Sequence, residues 1–132
     1  MKRLFVPVLA LLAATLIAVP AAAKKLEITK KAGDLTVEIG IEKDPPGVGW
    51  NVIEIRLKDP SGRSITEAKV LVQYYMPPMP RMAPMNEKVE TKWKKDAYTA
   101  RMKFIMAGPW IVIIRITMGE MALTTRFQID VR

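Results

Sequence analysis

The sequence predicts an all-β protein, an immunoglobulin-like antiparallel sandwich of about seven strands behind an N-terminal signal segment. Three observations lead there. Apolar and polar residues alternate with a period of two in stretch after stretch, and no segment carries a helical period. Proline- and glycine-bearing turn signals separate those stretches at short intervals. The 132-residue chain has no cysteine, so its core must hold the layers together without a disulfide.

The chain begins with Lys2-Arg3, an apolar run from Leu4 to Val19 and the small residues Ala21-Ala22-Ala23, the order of parts in an export signal. Met1–Ala23 is therefore set apart, and Lys24–Arg132 is expected to form one sandwich domain. The expected location is periplasmic or otherwise extracytoplasmic, with membrane anchorage as the alternative if the segment is retained.

Strands follow in order. Leu35, Val37, Ile39 and Ile41 share one face, as do Ile53, Ile55 and Leu57, and the alternation resumes less cleanly from Val70 to Tyr74. A short strand is expected near residues 88–94. Tyr98, Ala100, Met102 and Phe104 form the next inward set, which makes Met102 a core residue. Ile111–Ile114 is apolar on both faces, as in a central strand, and Leu123–Val131 alternates to the end. Asp59-Pro60-Ser61-Gly62 has the residues of a β-turn, and Lys94-Lys95-Asp96 makes a polar one. Gly119-Glu120 reads as a II′ hairpin turn that sets Met118 opposite Met121.

If successive strands alternate up and down, the loop 43–49, the segment after Tyr75 and the corner Ala107-Gly108-Pro109 share one end, while the Gly119 hairpin lies at the other. The segment after Tyr75 is Met-Pro-Pro-Met-Pro-Arg-Met-Ala-Pro-Met, with Met76, Met79, Met82 and Met85 at an unbroken spacing of three. Its prolines fix φ and remove donors, which predicts an irregular, polyproline-like connector. Fully extended, neighbouring sulfurs would stand roughly 9 Å apart, so the run must curl for two or three to converge.

Thioethers are soft, neutral ligands suited to Cu(I) or Ag(I). The expected metal residues are Met76, Met79, Met82 and Met85, with Met106 and Trp110 as further residues of that end and a tryptophan face, Trp110 or Trp50, capping the ion. Arg81 and the net charge of +8 oppose a cation. Two other uses of the methionines stand beside metal binding: an adaptable surface docking on a membrane complex, and a lid packed over the sandwich end.

Zero histidine and zero cysteine exclude imidazole and thiolate metal sites, thiol nucleophiles and Ser-His-Asp triads. The carboxylates are dispersed, there is no phosphate-binding glycine loop, and no enzymatic activity is expected. The lysines and arginines are scattered without aromatic interleaving, which argues against nucleic acid and leaves a solvated surface, an acidic partner or an anionic membrane surface.

Asp-Pro-Ser-Gly, Ala-Lys-Val-Leu-Val, Tyr-Tyr-Met-Pro-Pro-Met-Pro-Arg-Met and Met-Ala-Gly-Pro-Trp, in this order over most of Lys24–Arg132, resemble the YtkA-like and FixH-like group of exported or membrane-anchored sandwich domains. The resemblance implies an accessory role in copper handling, with a membrane-embedded oxidase-assembly or metal-efflux complex as partner.

Overall fold

A computed structural model describes residues 24–82 and 84–132; the expected signal segment, Met1–Ala23, lies outside the described residues. Nine strands are present among them: β1 (Leu26–Ala32), β2 (Leu35–Ile41), β3 (Gly49–Lys58), β4 (Lys69–Met76), β5 (Met85–Glu90), β6 (Lys92–Lys94), β7 (Ala97–Phe104), β8 (Gly108–Met118) and β9 (Met121–Val131). They form two antiparallel sheets, ordered β1-β2-β3-β7-β6 and β5-β4-β8-β9. Without β1, these are the two sheets of an immunoglobulin-type sandwich, with β5 in the place of the extra strand of the variable type.

Two differences from the expected seven strands have plain causes. β1 alternates only through Leu26 and Ile28 before Lys30-Lys31, and it is an edge strand, buried chiefly at Ala32 where it turns into β2. The strand expected at 88–94 is two strands in different sheets. Thr91 makes the change of sheet, its N–H and hydroxyl both donating to the Val70 carbonyl.

The inward residues are those that alternation marks. Ile41, Ile53, Ile55, Met102 and Phe104 of one sheet meet Val72, Trp110, Val112 and Ile114 of the other, each at most 1% exposed. β8 is central in its sheet, between β4 and β9, as its two-sided apolar run requires.

The turns follow their residues. Gly62 N–H closes on the Asp59 carbonyl at 2.9 Å, and the Asp59 carboxylate accepts from Ser61 N–H, Ser61 hydroxyl and Arg63 N–H. These bonds, the Ser61 hydroxyl first, hold its pKa below the ordinary 3.8. Gly119 has φ of 58° between the paired Met118 and Met121, in keeping with a II′ turn. Lys95 and Asp96 both have positive φ, which gives a I′-like turn made without glycine.

Candidate functional site

The methionine segment is a hairpin loop between β4 and β5, and its two ends belong to the sheet. Met76 is the last residue of β4 and pairs directly with Met85, the first of β5. The polyproline-like expectation fails at these ends because the prolines stand at 77, 78, 80 and 84, leaving Met76 and Met85 with their backbone donors. Residues directly opposite in an antiparallel pair send their side chains to the same face, with Cα atoms about 4.5–5.5 Å apart. The outer two methionines of the run therefore meet at the base of the loop.

The backbone brings the middle two together at its tip. Met82 N–H donates to the Met79 carbonyl at 3.2 Å, closing a four-residue turn with Pro80 second and Arg81 third. Arg81 has φ of 67°, so this is the type II arrangement, with arginine where glycine is usual. A β-turn brings its first and last Cα atoms within about 7 Å, which supplies the curl an extended run lacks. Met79 is 38% and Met82 42% exposed.

Burial separates the four. Met76 is only 4% exposed, and its methyl group lies where a side chain on Gly108 would begin: a Cβ there would stand 2.8 Å from Met76 Cε. Gly108 also has φ of 131°, a backbone conformation that resists any side chain. This contact ties the loop base to the Ala107-Gly108-Pro109 corner. Met85 is half-buried and lines an open cleft of about 430 Å³ beside the loop, together with Pro84, Tyr74, Trp110, Trp50, Arg101 and Lys103.

Met106 is at the same end, half-buried against the core, and its carbonyl accepts the Trp110 indole N–H at 3.0 Å. Trp110 is there too, but as core: it is 1% exposed and packs on Phe104 at 5.1 Å and Tyr74 at 6.1 Å between ring centroids. Its ring is almost wholly covered, with only a margin in the cleft wall. Trp50 is exposed, but the Arg101 guanidinium lies 4.6 Å and the Lys103 ammonium 5.6 Å from its ring centroid. A tryptophan cap would therefore have to uncover Trp110 or displace the two cations already beside Trp50. Met118 and Met121 pair across their hairpin at the far end, and Met102 is fully buried.

Alternation passes over one residue that shapes this end. Asn51 occupies the inward register of Ile53, Ile55 and Leu57, yet carries an amide and is 0% exposed. Its Oδ1 accepts from Gly47 N–H, and its Nδ2 donates to the carbonyls of Gly47 and Gly49, at 2.7–3.2 Å. It pins the loop 43–49, whose Pro46 and Val48 also bond the backbone of Arg132. An amide on the inward face next to a glycine-rich loop was the available signal. Tyr74 plays a related part between the sheets, its hydroxyl accepting from Lys103 N–H at 3.1 Å. Burial raises its pKa, a shift the Lys103 bond only partly offsets.

The donor chemistry of this end is narrow. Among the described residues no group of three or more His, Cys, Asp or Glu side chains could hold a metal ion. The soft donor at this end is thioether sulfur, which suits soft monovalent ions better than hard divalent ones.

The YtkA-like family matches residues 29–115, from β1 into β8. The chain belongs to the YtkA-like family. No curated protein matches it. Among solved structures it is similar to the crystal structure of the PmoD soluble domain from Methylocystis sp. ATCC 49242 (Rockwell), at 14% identity and a TM-score of 0.54, over 80% of this chain and 97% of that one. At that identity the likeness is one of fold.

Proposed function

We propose that this YtkA-like domain is an exported accessory protein that binds Cu(I), or Ag(I) by the same softness, weakly through its methionine loop, for carriage, efflux or oxidase assembly. It performs no reaction in this reading. The observation that carries it is the double pairing within one hairpin: Met79 with Met82 across the tip, Met76 with Met85 across the base. Met79, Met82 and Met85 are the first ligands, being exposed or half-buried. Met76 serves first as packing and joins the ion only if the end of β4 loosens. Neutral ligands at an exposed turn favour loose holding and transfer over storage. The partner in this reading is a membrane-embedded oxidase-assembly or efflux complex outside the cytoplasm.

Methyl NMR during titration with Ag(I) tests the assignment. The methyl signals of Met79, Met82 and Met85 should move together, and those of Met102, Met118 and Met121 should stay. Movement of the Met118 and Met121 signals alone would place the site at the wrong end.

A second reading rests on the exposed apolar residues of the same end, Val48, Trp50, Met79, Met82 and Ile105. In it the loop docks on the partner without metal. Leucine at all four loop positions would then preserve docking, whereas Met79→Glu would break it.

A further inference from the structure

β7 is an edge strand over half its length. β6 pairs with it only from Ala97 to Thr99, because the preceding chain has left for the other sheet as β5. From Arg101 to Phe104, the end of β7 and roughly 10 Å of extended chain, no strand among the described residues pairs on that side; β5 of the other sheet stands across the cleft. The Lys103 N–H points outward there, and its partner is the Tyr74 hydroxyl of the other sheet. Strand alternation then turns both the N–H and the C=O of Arg101, two residues away, toward the same bare side. The open cleft runs along this edge.

We propose that the upper edge of β7, which no strand pairs and whose Arg101 N–H and C=O stay open, receives an extended, acidic segment of a partner protein, which adds as a strand in line with β6. The backbone supplies the template. Charge selects the occupant: Arg101 and Lys103 are exposed, stack on Trp50, and have no carboxylate within salt-bridge distance among the described residues. Cations on an edge strand also repel a second copy of the same basic chain, so a like edge is the wrong partner. Glutamates alternating along an incoming strand would face these two cations on the outer face of the sheet, while the uncharged residues between them turn into the cleft, where Glu87 would repel a second row of carboxylates. The inference holds whether or not the loop binds copper.

The test uses the metal-free protein and a capped heptapeptide alternating glutamate and valine, read by amide hydrogen exchange and chemical shifts. The Arg101 amide should gain protection on binding. The same peptide N-methylated at alternate residues should not bind, because it cannot complete the edge bonds. The double variant Arg101→Glu, Lys103→Glu should bind about five-fold more weakly, as expected for two exposed ion pairs, and should prefer a lysine–valine peptide instead. The proposal is overturned if millimolar peptide leaves the Arg101 amide unprotected, or if the N-methylated peptide or the double variant binds as well as the originals. Protection of this edge by phosphatidylglycerol vesicles but not by peptide would overturn it in favour of a lipid surface.

Discussion

Replacing Gly108 by alanine tests the junction that seats the methionine loop. At φ of 131° a residue with a Cβ is strained by about 1–3 kcal/mol. The new Cβ would also stand 2.8 Å from the end of Met76, which must move. Because that end is a flexible thioether, its displacement adds no more than about 1 kcal/mol. Gly108→Ala should therefore lose ~2–3 kcal/mol in urea unfolding followed by tryptophan fluorescence, to which buried Trp110 contributes. Met76→Ala should lose ~2–4 kcal/mol by itself, the range for truncating a buried methionine. In the double variant the clash is gone, so the combined loss should fall short of the sum by at least ~0.5 kcal/mol. A Gly108→Ala cost under ~0.5 kcal/mol would refute the strain and the contact together, and strict additivity of the two losses would refute the contact.

Three further substitutions probe the turns and the pinned loop. Arg81→Gly should stabilise the protein by about 0.5 kcal/mol, because relief of the left-handed backbone exceeds the added freedom of the unfolded chain; urea midpoints measure it. The same change should tighten Cu(I) about two-fold, the effect of removing a unit charge some 8 Å away in water. Asn51→Ala should cost ~2–3 kcal/mol and speed hydrogen exchange at Gly47, since polar groups it now satisfies are left unpaired. Asp59→Ala should lower the urea midpoint at neutral pH. Asp59 has a depressed pKa, so its contribution is present above the unfolded value near 3.8 and fades as pH falls through the folded one. The gap between variant and wild type should therefore close in acid.

Most of the fold was legible because a period of two is a direct consequence of strands with one buried face. Ile53, Ile55 and Leu57, or Tyr98, Ala100, Met102 and Phe104, announce their inward side without any long-range information. The alternation of strand direction was also enough to collect the methionine loop, the loop 43–49 and the Gly108 corner at one end, as the Met76–Gly108 contact and the bonds of Pro46 and Val48 to Arg132, next to the Val131 that pairs with Gly108, show. What the sequence could not express was partnership. Nothing local in residues 85–94 states that the chain changes sheets at Thr91, and the bare edge of β7 follows from that change. The occupied face of Trp50 is likewise a cross-strand matter: Lys103 becomes its direct neighbour only through the β3–β7 register. Asn51 was hidden for a different reason, since alternation treats a polar inward residue as noise until its partners are known.

If the loop thioethers hold a soft ion as proposed, Cu(I) competition against a chromophoric chelator will reveal it. Wild type should withdraw Cu(I) from the chelator with an affinity nearly constant from pH 5 to pH 8, because thioethers do not titrate in that range. The variant with leucine at residues 76, 79, 82 and 85 should keep the fold and lose the competition. Equal competition by that variant, or none by the wild type, would contradict the claim.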